Sequence, residues 1–246
     1  MRFLLLSGGK DSTAALIVCL ETGIAFDAVV FVDTQSEFPE IYRHIDSVEK
    51  RFRVKVEKLK PEHSPEWFIL EKPIEKGIRK GKRGYGFPQL KRRWCVRCLK
   101  IEPFKRWSAG RVKEVILGIA YGETNRMANR LFNKFGGFDR KYPLIEHKIT
   151  EKEALRICYR YGFDFGGLYE IFPRTGCFWC PFQPISSLRN VFFYYPDLWQ
   201  WMLDVDRKTF NRFKPNYTLE ELDKKFLYEM KQKNLFREFL RGGGRK

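Results

Sequence analysis

Six consecutive residues near the start of the chain have the side chains and the backbone freedom that phosphate binding requires. They are Ser7, Gly8, Gly9, Lys10, Asp11 and Ser12. The two glycines allow positive φ and a close approach of an anion to the main chain. The serines add hydroxyl donors, Lys10 adds a mobile cation, and Asp11 suits a helix cap or a Mg²⁺ ion that bridges phosphates. An ordinary glycine turn has a similar pattern. The secondary structure on either side therefore decides between a phosphate-binding loop and a plain turn.

The residues around this loop predict a strand, a turn and a helix in succession. Phe3 to Leu6 is an apolar run long enough for one buried strand, and residues 13–22 have a helical pattern that Gly23 ends. The first N–H groups of such a helix have no partner within it, and the helix dipole adds partial positive charge there. The loop has neither the Walker pattern nor G-x-G-x-x-G. This context favours a phosphate-binding loop over a plain turn.

Two Cys-x-x-Cys pairs form the second group of residues with candidate chemistry. Their members are Cys95, Cys98, Cys177 and Cys180. One such pair is weak evidence because free cysteines also fill cores, but four thiolates suit tetrahedral zinc or a four-iron cluster. The sequence therefore predicts a metal site from all four, with zinc and iron–sulfur both open. The other two cysteines, Cys19 and Cys158, lie in helical patterns and are expected in the core.

Two further apolar runs place polar residues at strand ends. The run 28–33 ends in Asp33 and is followed by Thr34, while 114–118 ends in Gly118. Ligands of open α/β sheets lie beyond the carboxyl ends of the strands, so these residues are expected beside the phosphate loop. Asp33 would orient a ribose hydroxyl, an adenine amine or a metal there. A lone Asp after a strand is otherwise a turn residue.

The composition and the net charge indicate what kind of protein this is and what kind of partner it binds. The 246 residues carry 47 Lys and Arg against 30 Asp and Glu, a net charge of +17. Such an imbalance favours a polyanion such as RNA or DNA, although a thermophile-type surface also explains many charges. No apolar run reaches membrane-spanning length, and none has the form of a signal peptide. We therefore expect a cytoplasmic protein without membrane association, in which cysteines serve metal or redox chemistry.

The second half of the chain changes in character. We predict an α/β nucleotide-binding domain over 1–149, a helical, aromatic region over 150–240 that contributes half of the four-cysteine site, and a disordered tail over 241–246. Thr150 and Glu153 have the spacing of a capping box that opens a helix. Residues 76–87 are basic, glycine-rich and aromatic without any period, which predicts a mobile loop. That loop is either a solvated excursion or a functional element, namely a lid or a clamp for nucleic acid that uses cations and stacking rings.

Several of these runs resemble one superfamily. The hexapeptide 7–12 resembles the S-G-G-x-D-S signature of the PP-loop ATP pyrophosphatases. Residues 33–40 resemble the D-T-x-x-x-F-P-E run of its phosphoadenylyl-sulfate reductase branch, and 118–126 resemble the G-I-x-x-x-E-S-x-R run of that branch. Residues 100–103 match the K-[IV]-x-P run that follows the cysteines of its iron–sulfur members. In those members the first two cysteines are adjacent, whereas here Cys95 and Cys98 are separated by two residues.

The resemblance implies a fold, a reaction and roles for single residues. The fold is a Rossmann-like parallel sheet with helices on both faces, followed here by a mostly helical extension that carries the second cysteine pair. The reaction is ATP cleavage between the α and β phosphates, which adenylates a substrate. By this likeness the loop, Lys10 and Mg²⁺ hold the departing pyrophosphate, Lys100 and Arg126 stabilise developing charge, and Gly118 gives close backbone approach. It also favours a [4Fe–4S] cluster over structural Zn²⁺.

Three functions follow from these observations, and they differ in class. The first is an ATP-using enzyme that adenylates a nucleic acid, tRNA or DNA, for sulfur insertion from a sulfur donor, with help from the cluster. The second is a sulfonucleotide reductase, but that family places a nucleophile in a late E-C-G-[IL]-H run, and no cysteine follows Cys180. The third is a nucleic-acid-binding protein with structural zinc and no turnover. The complete loop favours the first.

Overall fold

The computed structural model describes residues 1–123 and 138–242, with side chains as far as residue 232. Its sheet runs in the order β3-β2-β1-β4-β5, and every pairing is parallel. The strands are β1 (Arg2–Leu5), β2 (Ala28–Val32), β3 (Val56–Leu59), β4 (Glu114–Leu117) and β5 (Asp139–Lys141). The predicted α/β class with a parallel sheet is confirmed.

Helices connect the strands and make up most of the second half of the chain. The helices are α1 (Lys10–Thr22), α2 (Pro39–Phe52), α3 (Pro65–Leu70), α4 (Trp94–Val96), α5 (Glu102–Ser108), α6 (Pro143–Glu146), α7 (Glu151–Arg160), α8 (Leu168–Ile171), α9 (Ile185–Tyr194), α10 (Pro196–Lys208) and α11 (Leu219–Gly242). The predicted capping box at Thr150 is present at the start of α7.

Successive side chains of β1, β2 and β4 alternate between two covered faces of the sheet. On one face Phe3, Val30 and Val115 pack with Phe104 of α5. On the other, the Phe31 ring meets Tyr42 of α2 edge to face, with centroids 6.2 Å apart. A sheet covered by helices on both sides needs apolar residues at consecutive positions, which explains the continuous apolar runs in β1, β2 and β4.

The strand order creates one crevice suited to a ligand. The chain moves outward from β1 through β2 to β3, then returns to the other side of β1 to add β4 and β5. Connections after β1 and β4 therefore leave the sheet in opposite directions, and the carboxyl ends of these two strands border an open crevice. The hexapeptide 7–12 follows β1 and Gly118 follows β4.

The chain divides into two compact units whose boundaries differ from the predicted domains. The first unit comprises Met1–Pro65 and Arg93–Cys177, and the second comprises Glu66–Arg92 and Phe178–Lys246. Helix α7 packs against α1 and lies in the first unit, and the domain boundary expected near residue 150 stays a prediction. The predicted tail begins inside α11, which extends to Gly242, and residues 243–246 lie outside the described part of the chain.

A buried histidine joins α1 to α2 in the first unit. His44 Nε2 lies 2.8 Å from Thr13 Oγ1, and the imidazole packs on the Phe165 ring with centroids 4.3 Å apart. Burial lowers the pKa of His44 from 6.5 to about 4, against an opposing effect of the Asp164 charge. The sequence alone gave this residue no role. The structure makes it a part of the core that resists protonation.

We expect this histidine to make the fold sensitive to acid. The unfolded chain binds the proton near pH 6.5 and the folded chain only near pH 4, so the stabilisation is complete above the first value and is lost as pH falls toward the second. Urea unfolding should give a free energy about 2 kcal/mol lower at about pH 5 than at about pH 7.5. His44→Gln should remove most of this difference, while substitution of the exposed His147 should leave it. An equal pH dependence in His44→Gln would contradict the assignment.

Candidate functional site

The loop between β1 and α1 is held by its own hydroxyl groups. Ser7 N–H donates to Ser12 Oγ over 3.0 Å, Ser12 Oγ donates to Gly9 O over 3.0 Å, and the two serine hydroxyls are 3.0 Å apart. Gly8 has φ +78°, and a Cβ there would lie 2.5 Å from Ile41 Cγ2. The predicted hydroxyl donors therefore shape the loop, and glycine is required at position 8 by both space and conformation.

Lys10 and Asp11 form a charged group at the first turn of α1. Lys10 Nζ lies 2.7 Å from Glu151 Oε2 and 3.2 Å from Asp11 Oδ2, and the lysine side chain is only 8% exposed. Burial lowers the pKa of Lys10, but the hydrogen bond to Glu151 and the Asp11 charge outweigh burial and raise it above 10.5. The lysine is thus a fixed cation at the amino end of the helix. Glu151, at the start of α7, was not singled out from the sequence.

Asp11 has one carboxylate oxygen left over. Its Oδ1 is buried and has no hydrogen-bond partner in the described part of the chain. Burial raises the pKa of Asp11 above 3.8, although the Lys10 charge opposes this effect. A buried, unpartnered carboxylate oxygen is costly unless a ligand satisfies it. Mg²⁺ is commonly held by one or two carboxylates together with substrate phosphates and water, so Asp11 fits the predicted magnesium ion.

A second segment, 169–175, lies against the loop. Lys10 N–H donates to Tyr169 Oη over 2.7 Å, and that hydroxyl is 3.0 Å from Thr175 Oγ1. A Cβ on Gly9 would lie 3.0 Å from Thr175 Oγ1 and 3.3 Å from Tyr169 Oη. Sequence reasoning missed both residues because they are more than 150 positions away in an aromatic-rich stretch. The contact explains why position 9, like position 8, is a glycine.

Two cavities of opposite character adjoin at the crevice. The polar one has a volume of about 110 Å³ and is lined by Ser7, Gly9, Lys10, Asp11, Ser12, Gly118, Tyr169, Arg174 and Thr175. The other, mainly apolar, has a volume of about 220 Å³ and is lined by Leu5, Leu6, Ser7, Ser12, Val30, Val32, Val96, Lys100, Phe104, Leu117, Gly118 and Ile119. Ser7, Ser12 and Gly118 belong to both linings. A ligand with a flat apolar part and an anionic part would suit this pair.

Gly118 lies where the two cavities meet. A Cβ at this position would be 2.5 Å from both the Cα and the backbone nitrogen of Ser12. Gly118 is therefore in close contact with the first turn of α1, and its close approach to a ligand stays a prediction. This contact sets the separation between the β4 end and the phosphate loop.

Asp33 and Thr34 lie at the end of β2, and their side chains bond within the following turn. Asp33 Oδ1 accepts hydrogen bonds from Gln35 N–H (2.8 Å) and from the Tyr42 hydroxyl (2.9 Å). Thr34 Oγ1 donates to Glu37 Oε1 over 2.9 Å. Neither residue is among those that line the two cavities. In this conformation they support a turn in which Gln35 has φ +57°.

Lys100 and the first cysteine pair share one helical segment. A π-helix, Arg97–Ile101, joins α4 to α5, and such π-segments often mark functional sites. Cys95 lies in α4, Cys98 is buried in the π-helix, and Lys100 lines the apolar cavity. The predicted residue Arg126 lies outside the described residues.

The four predicted cysteine ligands do not all belong to the same unit. Cys177 belongs to the first unit with Cys95 and Cys98, and Cys180 belongs to the second. None of the four forms a disulfide. Among the side chains of residues 1–123 and 138–232, no group of three or more His, Cys, Asp or Glu is arranged to hold a metal ion. The metal site expected from the four cysteines stays a prediction, and no reaction step is derived through it.

The fold and the crevice define a class of nucleotide-binding α/β protein with a PP-loop. Comparison with known proteins gives the family: the pattern of the phosphoadenosine phosphosulfate reductase domain matches residues 2–183. The chain therefore belongs to the phosphoadenosine phosphosulfate reductase-like family of the PP-loop superfamily, whose members bind adenine nucleotides. No helix in the described ranges has both the length and the hydropathy to cross a bilayer.

Similar proteins include two from Methanocaldococcus jannaschii. Uncharacterized protein MJ0066 is 28% identical over 218 residues, which cover 82% of this chain and 40% of that protein. Uncharacterized protein MJ0973 is 25% identical over 205 residues, which cover 81% of this chain and 46% of that protein. The chain thus spans less than half the length of these relatives. A crystal structure of phosphoadenylyl-sulfate reductase from Candida auris, a phosphate complex, superposes with a TM-score of 0.47 at 15% identity over 69% of this chain and 76% of that chain.

Proposed function

We propose that this protein binds ATP with Mg²⁺ and cleaves it between the α and β phosphates to adenylate an acceptor. The observation that carries the proposal is the pair of adjoining cavities at the ends of β1 and β4. The apolar cavity matches an adenine base in character, and the polar one presents Lys10 and Arg174 beside the amino end of α1. A nucleotide placed this way has its base on Phe104 and its phosphates at the loop.

In the proposed reaction an acceptor oxygen attacks the α-phosphorus of ATP. The new bond joins the acceptor to AMP, the bond to the β-phosphate breaks, and pyrophosphate leaves with the electron pair. Backbone N–H groups of the loop and the fixed ammonium of Lys10 hold the leaving group. Mg²⁺ on Asp11 would neutralise phosphate charge. Lys100, which lines the apolar cavity, is the candidate for stabilising charge on the α-phosphate.

We further propose that the acceptor is a nucleic acid, tRNA or DNA, and that the adenylated atom is replaced by sulfur. A sulfide-level donor would form the new bond as AMP leaves, so this step needs no outside oxidant or reductant. The net charge of +17 supports a polyanionic acceptor. Two Cys-x-x-Cys pairs support a metal site, [4Fe–4S] or Zn²⁺, on spacing alone. Iron, zinc and acid-labile sulfide analysis of protein purified without oxygen decides between them.

The alternative within the family is reduction of a sulfonucleotide. The same two cavities suit an adenosine nucleotide that carries sulfate, and the matched family takes its description from that activity. The third function, nucleic-acid binding with structural zinc and no turnover, would leave the loop without a role. These three differ in what they release from the nucleotide.

The deciding experiment incubates the protein with ATP and Mg²⁺, with and without total tRNA, and measures AMP and pyrophosphate. Parallel reactions with phosphoadenylyl-sulfate and a dithiol reductant measure sulfite. AMP and pyrophosphate in equal amounts, stimulated by tRNA, are the expected result. Sulfite release without pyrophosphate would replace the proposal by the reductase, and the absence of both products would favour the binding protein.

A further inference from the structure

A hairpin in the second unit is formed by a stretch of sequence that is rich in lysine, arginine and glycine. Residues 76–87 were predicted to be a mobile loop, and the backbone over 72–84 forms a short hairpin. Ile74 N–H donates to Lys82 O over 3.0 Å, and Gly84 N–H donates to Lys72 O over 2.9 Å. Gly84, with φ +71°, packs so tightly that a Cβ would lie 2.2 Å from Ile69 O. The segment, called the basic hairpin below, thus has a defined shape.

Arg79 supports the basic hairpin from within. Its guanidinium donates to Gly84 O over 3.0 Å and to Arg83 O over 3.2 Å. It also lies over the Phe210 ring, 3.1 Å from the centroid. All of these residues belong to the second unit. Arg79 therefore fixes the hairpin against the turn at 209–211 and is itself a structural cation.

Four other cations of this surface form no ion pair among the described residues, and one exposed carboxylate, Glu75, belongs to the same hairpin. Lys76, Lys80, Lys82 and Arg92 are exposed, and none makes a side-chain hydrogen bond or ion pair within the described part of the chain. By contrast, Arg83 pairs with Glu71 over 3.1 Å. Burial and the nearby charge of Arg92 lower the pKa of Arg79. Like charges held together on an ordered support favour a polyanionic partner.

We infer that the basic hairpin and the neighbouring Phe210 form a docking surface for RNA. The inference rests on the proposed function, because it names where the nucleic-acid acceptor is held. The lysines would contact phosphates. The Phe210 ring remains 54% exposed beside the Arg79 guanidinium, and such flat groups stack on unpaired bases, which RNA loops and ends present. An acidic polypeptide would neutralise the lysines, but its carboxylates would not stack on the Phe210 ring.

The test compares two variants with the same change in net charge. One carries Lys76→Ala, Lys80→Ala and Lys82→Ala. The control carries alanine at three exposed lysines of the first unit, 50, 105 and 152. Fluorescence anisotropy with a labelled single-stranded oligoribonucleotide gives affinity as a function of salt. The hairpin variant should bind at least about tenfold more weakly at low salt, with a salt slope smaller by about two, because three phosphate contacts are lost.

The control should keep both the wild-type slope and nearly all of the affinity. Equal losses in the two variants would overturn the surface, because general charge would then explain binding. Tighter binding of duplex DNA or of polyglutamate than of the oligoribonucleotide would overturn the choice of RNA. Phe210→Leu should weaken binding without changing the salt slope, and unchanged affinity would remove the stacking role.

ATP cleavage without RNA separates this inference from the proposed function. None of the substituted residues lines the two cavities, so both triple variants should form AMP and pyrophosphate at the basal rate of the wild type. Intact cleavage with wild-type RNA binding in the hairpin variant would overturn the docking surface alone. RNA binding that depends on the hairpin in a protein without cleavage would overturn the proposed reaction and leave the surface standing.

Discussion

Asp11→Asn should lower ATP turnover by about 100-fold or more, because it removes the carboxylate that we propose holds Mg²⁺ at the phosphates. The substitution keeps the size of the side chain, so Lys10 keeps its ion pair with Glu151. Turnover is measured as AMP and pyrophosphate formation over a range of Mg²⁺ concentrations. The variant should lose the Mg²⁺ dependence together with the rate.

The same substitution should not weaken the fold. Burial raises the pKa of Asp11, which means that the folded state disfavours its charge, and asparagine carries none. The midpoint of thermal unfolding should therefore stay equal or rise, as at other sites where function costs stability. Asp139→Asn, an exposed carboxylate in β5, is the matched control and should keep full turnover. Normal Mg²⁺-dependent turnover in Asp11→Asn would refute the site.

Gly118→Ala should destabilise the first unit and abolish nucleotide binding together. The new methyl group would lie 2.5 Å from backbone atoms of Ser12, and the backbone of α1 has no flexible side chain that can turn away. Overpacking of this kind costs about 1–3 kcal/mol. It also moves the loop away from β4 and so changes both cavities at once. Chemical unfolding and nucleotide titration measure the two effects.

Gly176→Ala is the matched control for that substitution. A Cβ at Gly176 meets no atom within 4 Å, and its backbone does not have positive φ. Stability should change by less than about 0.5 kcal/mol. If Gly118→Ala behaved like this control, α1 would not be in contact with the end of β4, and the shared lining of the two cavities would be lost.

Local signals explain what the sequence could predict. The first 23 residues contain a short apolar strand, two adjacent glycines and a helix in succession. The loop at 7–12 could therefore be predicted from the residues next to it in the sequence. The parallel sheet was implied by the resemblance to the PP-loop superfamily, and the apolar runs, which need cover on two faces, agree with it. Contacts between segments that are distant in the sequence could not be predicted in this way. Tyr169 and Thr175 come after the last strand of the sheet in the sequence and contact the loop at 7–12, and no sequence spacing predicts that contact.

Asp33 is a residue whose predicted contact with a ligand competes with a second role, in a turn. Its place at the end of β2 predicted a ligand contact, but its side chain is engaged by Gln35 and Tyr42 within the described conformation. A carboxylate at a strand end can serve a turn as well as a ligand, and sequence spacing does not distinguish the two. The cysteine pairs had ideal spacing for a metal, yet spacing says nothing about whether the two pairs meet.

The bond from Lys10 N–H to Tyr169 also bears on the energetics of ligand exchange. The N–H is already satisfied in the free protein over 2.7 Å, so a phosphate that takes it replaces one hydrogen bond by another. Binding then gains little enthalpy at this atom, but the loop needs no rearrangement before the ligand arrives. In the proposed reaction the same exchange would run backward as pyrophosphate departs, and the tyrosine hydroxyl would return to the N–H. We therefore expect rapid product release rather than tight retention.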